Sequence, residues 1–455
     1  MPDDETYFIK FQKSFIIFRP LSRLAFSGTL ALTRYLRRRS RIPVQDRPAD
    51  VENFLAAVGY DSAGIQRPTA WTPARPHRPT IAVLLLTSAC NLRCVYCYAD
   101  AGESPVRSMP LALARHAIDA VHRNAREAGA DRFSLSFHGG GEPTLNWDVL
   151  RAAVIHARSK DLPCHISLAT NGVWAESQRE FIRRHIDDIS LSCDGLRPVQ
   201  SAQRPRRDGG DSFDAVAETI RLLDRAGRSY GLRMTVTPEW MDHLPDSVDW
   251  ICRETGARSV QVEPTFTSAR GRYAELPRAA GQRFVKAFLQ AWEIAAAHRR
   301  TFFYSGAQPW TVTAAFCQAP ARALVVTPEG RIVTCFEITD PRDELAAPFV
   351  IGEVRDDGAL VVDETMLTQF AADQQVRRDS CHSCFCYWSC AGDCATRSLT
   401  KTGRNSIRCW INRTLTRELL ARLIVGGDGC WRGQPVASPF PGGEASVATR
   451  DFMPV

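Results

Sequence analysis

The chain of 455 residues lacks any run of about 18 or more apolar residues, so nothing in it reads as a membrane span. It lacks a secretory signal at its start. "MPDDETYFIKFQKSFIIFRPLSR" opens acidic, and Lys and Arg break its apolar stretches. It also lacks a strong charge of one sign. A formal net charge of +7 on this length tolerates an acidic partner but does not call for nucleic acid. Hydrophobic residues at 44% and charged residues at 24% are an ordinary globular balance, so core burial is not limiting. The length suits two or three domains. Cysteine is plentiful, with 15 in the chain. A secreted disulfide protein would be shorter and would carry a cleavable signal. The expected compartment is therefore the cytoplasm and the expected thiols are reduced. Clustered reduced thiols point to metal.

The first sixty residues look like a small α+β unit. "YFIKFQKSFIIF" alternates as strands do, while "RLAFSGTLALTRYLRRR" and "ADVENFLAAVGY" have helical spacing, with Asp50 a candidate N-cap. The basic run "RYLRRRSR" (34–41) suits a solvated helix end, or else an acidic partner. Residues 61–80 contain four prolines and read as an extended linker. From 81 to 310, short apolar runs at 81–87, 132–138, 165–170, 188–193, 232–237 and 259–264 alternate with amphipathic helices. That alternation predicts a parallel α/β sheet, open or closed into a barrel. Beyond about 310 the elements shorten and cysteine density rises, as in a small domain held by metal, 311–425. The Gly/Pro-rich tail from 426 to 455 is expected to lack regular structure.

Three cysteines crowd the loop after the first core strand: Cys90, Cys94 and Cys97, spaced C-x3-C-x2-C. Three thiolates can hold three irons of a [4Fe–4S] cube and leave the fourth iron open to an exchangeable ligand. On spacing alone, a zinc site with a distant fourth ligand, or loop cysteines without metal, also fit. The following strand ends are polar. "FHGGGEPTLN" brings Gly140, Gly141 and Glu142, where glycines admit close backbone approach and a carboxylate can grip an ammonium. "ATNGV" brings Thr170 and Asn171, and "SLSCDGLRP" brings Ser192 and Asp194. Each alone is an ordinary turn; together they occupy successive strand ends, where α/β barrels gather their chemistry. His138 reads as a residue that merely ends its strand.

This combination resembles the radical SAM superfamily, whose hallmark is C-x3-C-x2-C with an aromatic, here Tyr96, between the last two cysteines. The resemblance implies a partial (β/α)6 TIM-like barrel over 81–310. It implies a [4Fe–4S] cluster on Cys90, Cys94 and Cys97, whose open iron chelates S-adenosylmethionine. By the same likeness Tyr96 packs near the adenine, Gly140, Gly141 and Glu142 bind the methionine ammonium, and Thr170, Asn171 and Ser192 line the rest. Asp194 fits the family's SxDG-like turn. Reductive cleavage of the cofactor would give a 5′-deoxyadenosyl radical that abstracts hydrogen from substrate.

The later cysteines resemble a SPASM domain, a C-terminal cysteine-rich iron–sulfur domain with two auxiliary clusters. That pattern assigns Cys381, Cys384, Cys390 and Cys409 to one cluster, and Cys317, Cys335 and Cys394 to the other. "QAPARALVVTPEGRIVT", between Cys317 and Cys335, contains no cysteine, although several relatives have one there. The inner cluster is expected to have an open iron or a non-Cys ligand, unless Cys386 or Cys430 completes it. SPASM members mostly act on peptides or proteins. The leading expectation is a maturase that crosslinks a ribosomally made precursor peptide, with residues 1–60 a shortened leader-recognition element. The expected partners are a leader-bearing precursor and an electron donor such as flavodoxin or ferredoxin, with no nucleic acid or membrane. The alternative is sulfatase-type oxidation of Ser or Cys. There an Asp near the second SPASM cysteine serves as base; "TCFEI" offers Glu337 instead. A zinc-stabilised binding protein is the non-enzymatic rival. It predicts a colourless protein, whereas iron–sulfur clusters predict brown colour bleached by dithionite.

Overall fold

The structure, a computed structural model, describes residues 6–103, 105–270, 272–340, 346–398 and 406–433. Strands β1 (Tyr7–Phe11) and β2 (Ser14–Arg19) form the expected hairpin. The next stretch departs from its helical spacing. Leu24–Gly28 is a strand, β3, paired antiparallel with β2, and α1 (Leu30–Leu36) begins only after Thr29, whose side chain accepts from the Leu32 N–H. Tertiary packing decides this. Phe26 is buried with Ile17 and Leu55, and a Cβ on Gly28 would lie 2.4 Å from Ile17 Cδ1. In α2 (Ala49–Ala57) the N-cap position is Pro48, and Asp50 sits inside the first turn rather than capping it. Residues 61–80 hold no helix or strand, yet they are docked. Ile65 N–H bonds the Leu21 carbonyl at 2.8 Å, the His77 N–H bonds Glu364 at 2.8 Å, and Trp71 packs on the core.

All six core strands expected from the sequence are present: β4 (Ile81–Leu84), β5 (Phe133–Phe137), β6 (Cys164–Thr170), β7 (Asp188–Ser192), β8 (Tyr230–Val236) and β9 (Ser259–Pro264). They pair in parallel and in chain order. Between them run α3 (Leu111–Glu127), α4 (Trp147–Arg158), α5 (Glu176–His185), α6 (Arg197–Gln203), α7 (Phe213–Arg225) and α8 (Leu244–Glu254). One face of the sheet buries Leu84, Phe137, Leu168, Leu191, Leu232 and Val260 in the main core with α3, α4, α7 and α8. The other face carries Ser136, Ser167, Ser190, Ser192, Arg233 and Gln261 in register. Along β6 and β8, buried and partly exposed residues alternate strictly. A barrel interior packed with branched side chains has no free volume. Here small polar residues face the lumen and leave room for ligands.

The ends of this six-stranded run are extended rather than joined to each other. A short hairpin, β10 (Thr267–Ala269) and β11 (Arg272–Tyr273), and the long helix α9 (Arg278–Ala297) follow β9. Strand β12 (Thr301–Phe303) then adds parallel to β9. After α10 (Ala319–Arg322), strand β13 (Ala323–Val326) adds parallel to β4, and β14 (Arg331–Val333), β15 (Val350–Val354) and β16 (Leu360–Val362) continue antiparallel. The cysteine-rich region is therefore not a unit with its own separate core. Val325, Val333 and Phe349 share an apolar cluster with Ile81, Val83 and Leu85. Helices α11 (Glu364–Asp379), α12 (Tyr387–Cys390) and α13 (Ile407–Gly426) complete it. Leu420, Leu423 and Ile424 of α13 pack on the N-terminal sheet. The tail expected to be irregular begins with a strand instead: β17 (Cys430–Arg432) pairs with β3. The rest of that tail, 434–455, lies outside the described residues.

Candidate active site at the strand ends

The loop after β4 is pinned at two points, by bridges Thr87 to Ser108 and Leu92 to Arg206. Cys90, Cys94 and Cys97 stand within electrostatic range of one another. Burial pushes the Cys90 thiol up to about 11 and the Cys94 thiol up to about 12, so thiolates there need a nearby positive charge such as iron. Their sulfurs already receive donors. Leu92 N–H lies 3.4 Å from Cys90 Sγ, Ala101 N–H 3.4 Å from Cys97 Sγ, and Asn171 Nδ2 3.8 Å from Cys90 Sγ. Amides aimed at sulfur suit cluster-bound thiolates. Two arginines brace the loop. Arg93 donates to the Gly102 carbonyl at 2.7 Å. Arg270, beside β10, donates to the carbonyls of Cys94 (2.8 Å) and Ala101 (2.6 Å) and to Asp100 (2.9 Å).

The glycine turn after β5 lies against this loop. Gly141 N–H bonds the Thr87 carbonyl at 2.6 Å, Glu142 N–H bonds the Ala89 carbonyl at 2.8 Å, and a Cβ on Gly141 would lie 1.9 Å from Ala89 O. No side chain fits there. Glu142 departs from its expected use. Its carboxylate is buried, and it accepts from the Thr144 hydroxyl (2.8 Å), the Thr170 hydroxyl (2.7 Å), the Asn171 N–H (2.7 Å) and the Thr144 N–H (3.3 Å). It ties strand ends together, and that draws Thr170 into the scaffold as well. Asn171 reaches back to the loop, donating to Asn91 Oδ1 at 2.7 Å. Asp194 is likewise a buried hub. It accepts from the Tyr96 hydroxyl (2.7 Å), Arg204 Nε (3.0 Å), Gln203 Nε2 (2.9 Å) and the Thr235 N–H (3.0 Å). Ser192 is half-buried at the end of β7, and its hydroxyl has no partner among the described residues.

The later cysteines also gather as expected. Cys335 feels Cys394 and Cys317, and Cys409 feels Cys384 and Cys381. Backbone amides again aim at sulfur, from Ala319 to Cys317 and from Glu337 to Cys335, both at 3.4 Å. Asn412 Nδ2 lies 3.5 Å from Cys390 Sγ. No further cysteine joins the inner set. Cys386 stands beside Cys384 and Cys390, and Cys430 packs in the N-terminal sheet. Cys164, Cys193 and Cys252 are buried core residues. Glu337 is nearly covered, bonded to Arg397 at 2.5 Å and accepting from the Thr396 hydroxyl at 3.2 Å. Among the described residues no three His, Cys, Asp or Glu side chains converge as a single-ion site requires; a four-iron cube spreads its thiolates wider than one zinc does. Sequence reasoning missed Asn91, Gln203, Arg204, Arg233 and Arg270. None lies in a recognisable motif, and only the folded chain brings them to the strand ends.

Residues 84–251 match the family model described as the Radical SAM superfamily. The chain is a radical SAM enzyme. A serine-type anaerobic sulfatase-maturating enzyme of Klebsiella aerogenes is 26% identical over 357 residues, covering 75% of this chain and 85% of the relative. Among solved structures, anSMEcpe with bound AdoMet superposes with a TM-score of 0.60 at 18% identity, over 77% of this chain and 96% of its own. Streptococcus suis SuiB bound to precursor peptide SuiA gives a TM-score of 0.52 at 12% identity, over 90% of this chain and 98% of its own. These likenesses share the radical SAM fold and extend beyond the matched domain into the cysteine-rich region. The family implies S-adenosylmethionine and a [4Fe–4S] cluster, and the donor set on Cys90, Cys94 and Cys97 fits such a cluster. No helix among the described residues is long and apolar enough to cross a membrane.

Proposed function

We propose that this radical SAM enzyme is a maturase acting on a peptide or protein, and that it crosslinks side chains of a ribosomally made precursor. The carrying observation is Tyr98. It lies within electrostatic reach of Cys97 on one side and of Cys335 and Glu337 on the other. The polar lumen thus runs between the first thiol triplet and the inner later set, which suits an extended chain segment threaded between them. When bound, the cluster and S-adenosylmethionine supply a 5′-deoxyadenosyl radical able to abstract hydrogen from an unactivated C–H bond. The chain's own part is positioning and exclusion of water. Tyr96 is oriented by Asp194 beside the adenine. The backbone at Gly140 and Gly141, more than the committed carboxylate of Glu142, receives the methionine ammonium. Asn171 and Ser192 line the remainder.

The cysteine sets assign two auxiliary clusters, the outer on Cys381, Cys384, Cys390 and Cys409. The inner, on Cys317, Cys335 and Cys394, has three cysteine ligands. Glu337 lies beside it, held as a carboxylate by Arg397, and is the candidate base. A flavodoxin or ferredoxin is the proposed electron donor. For a leader peptide, the N-terminal sheet offers β1, because the outer edge of β3 is filled by the chain's own β17.

A second reading, oxidation of a Ser or Cys in a sulfatase-type protein, is supported by the similarity to the Klebsiella aerogenes enzyme across most of its length. Both reactions remove a pair of hydrogens, so mass alone does not separate them. The reconstituted enzyme is incubated with S-adenosylmethionine, reductant and either the precursor peptide encoded beside its gene or a sulfatase-derived Ser/Cys peptide. A crosslink predicts a product that resists fragmentation between two joined residues. Side-chain oxidation predicts an aldehyde that reacts with a hydrazide. Cofactor cleavage with both peptides unchanged would overturn the maturase reading.

A further inference from the structure

Four arginines reach the lumen and its rim, and three have carboxylates of their own. Arg204 is paired with Asp194 at 3.0 Å, Arg397 with Glu337 at 2.5 Å, and Arg408 with Asp393 at 2.8 Å. Arg233, on β8, has none within ion-pair range among the described residues. Its one hydrogen-bond partner is the Nε2 of His138, at 3.4 Å. The nearest acids are already engaged elsewhere. Glu263 accepts from the Ser305 N–H at 3.0 Å and lies 3.7 Å from Arg408, and Glu337 is held by Arg397. A cation on a half-buried wall without a counter-charge is costly unless a ligand supplies one.

The residues at its sides are unsatisfied too. His138 is buried, and burial, with Arg233 beside it, pushes it down to about 3, so the ring is neutral. Its Nε2 accepts from Arg233, which leaves the proton on Nδ1, and Nδ1 is buried without a partner. Gln261, paired in register with Arg233, is buried with its Oε1 also unpartnered. One layer of the lumen therefore holds a free guanidinium, a spare donor and a spare acceptor.

We propose that Arg233, flanked by His138 and Gln261, is the receptor for a carboxylate on the peptide or protein substrate. This rests on the maturase reading above. The carboxylate takes the Arg233 N–H donors, and Gln261 Oε1 is available to a neighbouring amide N–H. The cofactor also carries a carboxylate. Arg233 faces away from it: its electrostatic neighbours are Tyr98, Glu263, Arg204 and Glu337, none of them a cysteine of the first triplet. It stands on the side of the lumen toward the inner cysteine set.

The test uses the full-length reconstituted enzyme and three probes: N-acetyl-aspartate amide, N-acetyl-asparagine amide and S-adenosylmethionine. Binding is followed by ligand-observed NMR. The wild type is expected to prefer the acid over the amide by roughly tenfold, as a desolvated charge pair requires. Arg233→Leu should abolish that preference, Arg233→Lys should retain most of it, and S-adenosylmethionine affinity should stay within about twofold in both. Equal binding of the acid and amide probes to the wild type would overturn the proposal, and that arm does not depend on any variant folding. A preference that survives Arg233→Leu would overturn it as well. So would its loss together with a tenfold fall in cofactor affinity, which would assign Arg233 to the cofactor. Failure of the maturase reading shows separately, as unmodified peptide in an enzyme that still prefers the acid probe.

Discussion

The two cysteine regions are built in opposite ways. Cys90, Cys94 and Cys97 lie in one loop, and the loop is braced by its own residues and a few arginines. The later seven are drawn from α10's approach, the β14 end, the turns around α12 and the start of α13, so distant parts of the chain must be placed first. A local set can be read from spacing and tolerates change elsewhere. A distributed set depends on the whole architecture.

The largest effect should come from breaking each set directly. Cys94→Ala should reduce 5′-deoxyadenosine formation to background. Cys384→Ala should leave that cleavage measurable while abolishing peptide modification. Iron content and product chromatography on the two variants check this, and equal loss of cleavage in both would erase the distinction. Next, Trp431→Ala tests how far the distributed set relies on remote packing. Trp431 is buried against Leu420 and Leu423 of α13, the helix that carries Cys409. Its removal should cost about 3 kcal/mol. It should also speed hydrogen exchange in β1–β3 and α13 more than in β4–β9, with iron lost from the later sets before the first.

A smaller effect is expected at Glu142, the anchor of the local set. Glu142→Gln keeps the shape but weakens four acceptor contacts, for about 2 kcal/mol of stability. Denaturant midpoints and S-adenosylmethionine affinity should both fall. The smallest effect belongs to Glu52, remote from either set. Hydrogen bonding from Arg39, opposed by burial, holds its carboxyl at about 2 against the ordinary 4.5. The folded value lies below the unfolded one, so its contribution is complete above pH 4.5, shrinks as pH falls, and is gone below about 2. Glu52→Gln should flatten that acid dependence of the N-terminal unit and leave both iron sites unchanged. Thermal melts between pH 2 and 6 would show it.

The sequence made the parallel core legible because each strand is a short apolar run ended by glycine or a polar turn. Strand β3 was not legible, since Leu24–Gly28 carries helical spacing and becomes a strand only by pairing with β2 and β17. Strand β17 was hidden for the same reason, being three residues inside a Gly-rich stretch. At the site, the cysteines and the glycine turn could be read because their chemistry restricts residue type. The committed roles of Glu142 and Asp194 could not, since each accepts four hydrogen bonds from partners that only the fold supplies. Arg233 gave no local signal at all. Its meaning lies in the counter-charges its neighbours lack.

The pairing of β13 with β4 turns the sheet into a ruler. Ala323 is matched to Ile81 and Val326 to Leu84, so ladder bonds fix how far the later cysteines stand from the first loop. A slip of one residue would swap which side chains face inward. The span between the two redox zones can therefore change only in whole pleats, and a substrate must present its reactive carbon at a reach the backbone has already set.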